Sequence, residues 1–205
     1  MDTVDVYARP YNFEVKSDDG KSTFVANPNF DPELVPHIII PKDVAQESIF
    51  IMDLIEDLSE SGKAPLVQVD NVTHDDLEKT FQVMQIIKDV LGVYVLPGRR
   101  IINAKGEYEE TSKSNIRERP YNANLNDEKS DIQKAEDEKI SNFITQLIDD
   151  GTPEKDMRLL TQMLLTADII GAVRTVNFIA KYFADLIKGK TAEEIRKQFA
   201  VRNVQ

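Results

Sequence analysis

The sequence predicts an α+β domain, and three observations carry that prediction. Residues 140–148 set Ile140, Phe143, Ile144, Leu147 and Ile148 on one helical stripe. Residues 172–187 repeat the pattern with Val176, Ile179, Ala180, Phe183, Leu186 and Ile187, while Arg174, Asn177, Lys181 and Lys188 fall on another face. Earlier in the chain, short apolar runs flank Asp18-Asp19-Gly20, and Leu66-Val67-Gln68-Val69 alternates as a half-buried strand does.

In chain order, residues 13–26 read as a β-hairpin, because glycine at position 20 tolerates the positive φ of a tight turn. Residues 27–41 are rich in proline and asparagine, and Ile38-Ile39-Ile40 within them reads as an edge strand or a hydrophobic tether. Residues 43–58 carry Ile51, Leu54, Ile55 and Leu58 at helical spacing, with Asp53, Glu56 and Asp57 on the wet side. Asn71-Val72-Thr73 has the form of a glycosylation sequon and reads better as helix capping, since Thr73 and Asp76 precede Leu77, Phe81, Met84 and Ile87 in a helix over 74–88.

Residues 90–96 suit a strand, with Pro97-Gly98 turning into Arg99-Arg100-Ile101-Ile102. Residues 105–139 are dominated by Lys, Glu, Asn, Ser and Asp, a composition too polar to offset the entropy of ordering, so most of this stretch reads as a mobile linker. Arg99, Arg100 and Lys105 form a small basic cluster there, read as solvated surface. After the 140–148 helix, Asp149-Asp150-Gly151 is a stop, and Thr152-Pro153 opens a helix whose inward face is Leu160, Met163, Leu164 and Ala167.

The C-terminal stretch is the most informative. Gly189 is placed to end the 172–187 helix behind Lys188, and Thr191 with Glu194 forms a capping box for a shorter helix whose Ile195 and Phe199 share a face. Phe178 and Tyr182 lie on a third strip of the longer helix, more apolar surface than one core face needs, which suits a partner. Lys188-Gly189-Lys190-Thr191 has the ending of a phosphate-binding loop, but the required earlier glycine is absent and the run follows a helix rather than a strand.

Residues 184–199, from Ala184 through Ile187-Lys188-Gly189-Lys190-Thr191 and Glu193-Glu194-Ile195-Arg196-Lys197 to Phe199, closely resemble the signature of the S-phase-kinase-associated protein (Skp) family. These are adaptor subunits that join F-box proteins to a cullin in SCF ubiquitin ligases, and within the core of the run only Ala192 replaces the family's proline. Residues 48–58 and the strand, Asn-Val turn and helix over 66–88 follow the family order, residues 13–26 are similar to its opening strands, and residues 159–205 align without a gap.

The resemblance implies a BTB/POZ-type small sheet packed on helices, with additional C-terminal helices and no catalysis of its own. The implied organisation is an N-terminal extension over 1–12, the first part of the BTB/POZ unit over 13–88, a mostly flexible insertion over 89–139, C-terminal helices of that unit over 140–188, and a shortened Skp-type helix over 189–205. The family's F-box surface projects onto Ile187, Ile195, Arg196, Phe199 and Val201. Its cullin-facing Ala-Asn-Tyr-Leu stands here as Ala167-Asp168-Ile169-Ile170, where Asp168 lacks the amide donor and Ile169 lacks the phenol. The family's last helices end near an Asn-Gln-Trp that a sequence without tryptophan does not contain, so weaker or altered F-box capture is expected. A self-associating BTB-type scaffold, working as a homodimer without a ligase role, is the alternative.

Composition narrows the rest. The 205 residues, 41% hydrophobic and 30% charged, suit one globular domain. A net charge of −11 argues against nucleic acid as a partner, because phosphate binding needs a basic surface. With no cysteine, the chain cannot carry ubiquitin as a thioester and has no disulfide or thiolate metal site; His37 and His74 stand in unrelated contexts, so neither metal nor cofactor is expected. No signal-peptide pattern and no membrane span are read, and the expected location is cytosol or nucleus.

Overall fold

The computed structural model describes residues 3–9, 11–16, 22–26, 31–59, 66–93, 100–102, 108–110, 130–149 and 153–198. Its strands are β1 (Thr3–Arg9), β2 (Tyr11–Lys16), β3 (Ser22–Ala26), β4 (His37–Pro41), β5 (Leu66–Asp70), β6 (Arg100–Ile102) and β7 (Tyr108–Glu110). Its helices are α1 (Lys42–Ala45), α2 (Ile49–Ser59), α3 (His74–Leu91), α4 (Asp131–Ile148), α5 (Pro153–Ile169), α6 (Val173–Ile187) and α7 (Ala192–Gln198), with a short 3-10 turn at Pro32–Leu34. A mixed, mostly helical α+β fold results, consistent with the BTB-like architecture.

The main sheet has the order β4-β1-β5, with β1 antiparallel to β4 and parallel to β5. The segment read from sequence as an N-terminal extension therefore supplies the central strand. Val4, Val6 and Ala8 point inward at alternate positions and are buried, as are Val67 and Val69 on β5. Position 39, the middle of the isoleucine run, is exposed while Ile40 is buried, so the run is an edge strand rather than a tether. The β2–β3 hairpin forms where the Asp18-Asp19-Gly20 signal predicts it, although the turn lies outside the described residues. It is a two-stranded sheet of its own, carried in the connection between β1 and β4, and is not the opening pair of the main sheet.

Helix α3 holds two cores together. Leu77, Phe81 and Met84 face the core beneath the sheet, whereas Val83, Ile87 and Leu91 face a second core made with α4, α5 and α6. The Thr73 hydroxyl accepts from the Asp76 amide at 3.2 Å, which confirms the capping role read for the Asn71-Val72-Thr73 stretch. Val90 and Leu91, expected at the head of a strand, form the last turn of α3 because burying Leu91 in the second core outweighs local strand preference.

The stretch expected to be a mobile linker contains structure. A short β6–β7 pair is present, and α4 begins at Asp131, well before the apolar stripe starts at Ile140. A reciprocal capping box supports that beginning: Gln133 N–H donates to Ser130 Oγ at 3.3 Å, and Ser130 N–H donates to Gln133 Oε1 at 3.1 Å. One turn before Ile140, Asp137 is buried and accepts from Lys181 Nζ at 2.7 Å, which fastens this polar half-helix to α6. Composition alone does not show such an anchor. The remaining residues of the linker reading, 105–107 and 111–129, lie outside the described residues.

Candidate docking surfaces on helices five to seven

Two regions of the C-terminal helices combine defined backbone geometry with exposed side chains. The first is the corner between α5 and α6. Helix α5 ends in a Schellman motif: Ala172 N–H donates to Ala167 O at 2.8 Å and Gly171 N–H to Asp168 O at 3.0 Å, with Gly171 at φ 64°. The carbonyls beyond this end then serve α2. Ile49 N–H donates to Gly171 O at 3.4 Å, Phe50 N–H to Ile170 O at 3.3 Å, and the Ser48 hydroxyl to Ile170 O at 2.5 Å. Ser48 also caps α2 by accepting from Ile51 N–H at 3.0 Å. Amides that a helix start leaves unpaired are satisfied by carbonyls that a helix end leaves unpaired.

Around this corner a set of apolar side chains faces solvent. Leu165 is 51% exposed and Ile169 is 43% exposed one turn later, with Val173 and Ile49 beside the turn also exposed. Asp168 is exposed on the same last turn of α5. The sequence singled out Asp168 and Ile169; it missed Leu165, Val173 and Ile49. The i, i+4 spacing of Leu165 and Ile169 on a face away from Leu160, Met163 and Ala167 was the available signal.

Arg174 corrects the sequence reading. Expected on a polar face, it is buried and paired with Glu47, itself fully buried at the junction of α1 and α2. Its Nε donates to Glu47 Oε2 at 2.9 Å, its Nη2 also meets Glu47 Oε1, and Nη2 donates to Gly92 O at 2.8 Å. Ala180, expected inward, is exposed.

The second region is the α6–α7 module. Val176 packs toward the sheet core, and Phe178, Tyr182, Phe183 and Leu186 pack against the second core. Phe178 and Tyr182 are therefore half-buried against the protein's own helices, and Tyr182 Oη lies 2.9 Å from Thr145 Oγ1 on α4. Past α6 the chain turns at Gly189, φ 77°, with Lys190 N–H donating to Ile187 O at 3.2 Å. Thr191 then closes the predicted capping box: its N–H donates to Glu194 Oε2 at 2.7 Å, and its Oγ1 accepts from Glu194 N–H at 3.3 Å. Those bonds from Thr191 hold the Glu194 carboxyl below its ordinary range.

On α7, Ala192, Glu193, Glu194 and Arg196 are exposed and Ile195 is half-buried. Ile187 is half-buried at the end of α6, so Ile187, Ile195 and Arg196 sit on one short helix-turn-helix unit. Phe199 and Val201 lie outside the described residues. Among the described residues no cluster of His, Asp or Glu could hold a metal ion, and no helix is long and apolar enough to cross a membrane.

Residues 176–203, spanning most of α6, the Gly189 turn and α7, match the Skp1 family, dimerisation domain. Similar proteins include the E3 ubiquitin ligase complex SCF subunit sconC of Arthroderma otae, 25% identical over 166 residues, covering 81% of this chain and 77% of that protein. The protein of the same name from Arthroderma benhamiae is 24% identical over the same shares. The C-terminal helical module is thus similar to the Skp1 family, and the similarity to the SCF subunits named sconC extends over most of the chain.

Proposed function

We propose that this chain is a non-catalytic adaptor of an SCF-type ubiquitin ligase, taking an F-box protein on the α6–α7 module and a cullin on the α5–α6 corner. The observation that carries the reading is the match of residues 176–203 to the Skp1-family module, which coincides with the capped helix α7 and the half-buried Ile187 and Ile195. Partly exposed aliphatic side chains on a rigid helical unit suit helix-on-helix docking, where a few anchors dominate the binding energy. The corner supports the second contact. Leu165, Ile169, Val173 and Ile49 offer apolar surface beside a backbone fixed by the Schellman motif.

Co-purification of the chain with an F-box protein and with a cullin N-terminal domain tests both contacts. Ile195→Asp should lose the F-box protein and keep the cullin, and Ile169→Asp should do the reverse, because a carboxylate desolvated at an interface costs several kcal/mol, about 3–5 in comparable buried pairs. Capture of the F-box protein alone would detach the adaptor fold from ubiquitin transfer. Capture of neither, together with a dimer mass in size-exclusion chromatography, would replace the adaptor reading with self-association.

A further inference from the structure

His37 begins β4 at the point where the 10–36 connection returns to the sheet, and both its ring nitrogens face acceptors. Nδ1 lies 3.0 Å from Asp5 Oδ2 on β1, and Nε2 lies 3.0 Å from the Pro32 carbonyl in the 3-10 turn. A carboxylate and a peptide carbonyl can only accept, so both contacts are hydrogen bonds only when both nitrogens carry protons. The ring also stacks on Tyr7, with centroids 5.5 Å apart and planes 21° from parallel. Asp5 Oδ1 is buried with no hydrogen-bond partner among the described residues, which leaves His37 as the described partner of this carboxylate.

The groups facing His37 do not compete for this role. From β1 they are Asp5 and Tyr7; burial raises the Tyr7 phenol above its ordinary value, so it stays neutral, and its hydroxyl donates to Gln68 of β5 at 2.7 Å. From the turn it is the Pro32 carbonyl, while the neighbouring Asp31 carboxylate is engaged by Glu33 N–H at 3.0 Å. We propose that His37 is a proton-operated latch: protonated, it ties the Pro32–Leu34 turn to the central strand, and neutral, it releases the turn. The hydrogen bonds to Pro32 and to Asp5 raise its pKa. A raised histidine pKa means that the tie is complete below the ordinary value near 6.5 and is lost as pH rises through the folded value.

Neutral imidazole keeps one N–H, and the charged acceptor holds it better, so Asp5 retains its bond and Pro32 loses its own. The released element carries Leu34, 82% exposed, and forms the return end of the connection that bears the β2–β3 hairpin. The latch would thus make the attachment of this arm depend on pH near neutrality.

The test is an NMR titration of the full chain between about pH 5.5 and 8.5. The chain has two histidines, so His74→Asn leaves the His37 imidazole as the single ring signal. The expected result is a His37 midpoint above about 6.5, with the backbone amides of Glu33, Leu34 and Val35 moving at that same midpoint. Asp5→Asn should lower the midpoint, and His37→Ala should make the amide signals independent of pH while the remaining spectrum stays dispersed. Turn amides that do not follow the imidazole, or a midpoint unmoved by Asp5→Asn, would overturn the proposal.

Discussion

Arg174 and Glu47, 127 positions apart in sequence, form a buried ion pair that joins the first turn of α6 to the junction of α1 and α2. Because Arg174 also bonds the carbonyl of Gly92, which ends α3, one side chain fixes three elements behind the α5–α6 corner. The apolar side chains of that corner stand on a frame held by charge-assisted bonds as well as by packing.

Removing one member of this pair should cost far more than removing both. Arg174→Leu removes the guanidinium that the Glu47 carboxylate meets at a fully buried site, and the expected loss is about 3–5 kcal/mol. Glu47→Leu combined with Arg174→Leu should recover much of it, since two apolar groups leave no buried charge. Urea unfolding of the two single variants and the double variant measures the difference through the transition midpoint.

Gly171→Ala tests the corner from the backbone side. At φ 64° an L-residue costs about 1–2 kcal/mol. The added methyl would also stand 3.2 Å from Ile49 Cβ, closer than ordinary contact. Thermal unfolding should show a lower midpoint, and cullin capture should weaken if this corner docks it. Gly189→Ala, at φ 77° with no atom of the described residues within 4 Å of the added carbon, should cost mainly the backbone strain.

Ile169→Tyr restores the phenol that the family resemblance expects at this position, and Asp168→Asn restores the amide. Both side chains are exposed, so stability should change by no more than about 0.5 kcal/mol. Binding to a cullin N-terminal domain should strengthen in the double variant, measured by titration calorimetry beside the wild type. An unchanged affinity would show that the corner does not use these two positions for cullin.

The sequence made most of the helices and the hairpin legible because their signals are local. Ile140, Ile144 and Ile148 declare a face, and Thr191 with Glu194 declares a cap, using residues within a turn or two of each other. It hid the role of Thr3–Arg9, because centrality in a sheet is a property of β4 and β5 as much as of β1. It hid the beginning of α4 for a related reason: Asp137 is worth burying only where Lys181 arrives from another helix. Arg174 misled in the opposite direction, since a cation at helical spacing reads as solvated until a buried Glu47 is placed against it. The residues proposed for docking on α7 came through resemblance, whereas the exposed corner of Leu165, Val173 and Ile49 needed the path of the chain.

Helix α7 should depend on its cap because it is short and, apart from Ile195, its described side chains are exposed. Thr191→Ala deletes the oxygen that accepts from Glu194 N–H and the hydroxyl that donates to Glu194 Oε2, so faster amide exchange is expected across Ala192–Gln198 with α5 and α6 unchanged. Capture of an F-box protein should fall several-fold if Ile195 is an anchor, because the helix must then be ordered during binding. Acid should act on the same box. The Glu194 carboxyl is held below its ordinary value by bonds from Thr191, so its contribution is complete above the unfolded carboxylate value and is lost as pH falls through the depressed folded value. Exchange of the α7 amides, corrected for the intrinsic pH dependence of exchange, should therefore rise below about pH 4 in the wild type. Glu194→Gln should abolish this acid response, because the Thr191 N–H and hydroxyl would then meet an amide that does not titrate, and an acid response that survived this substitution would assign the effect to a group other than Glu194.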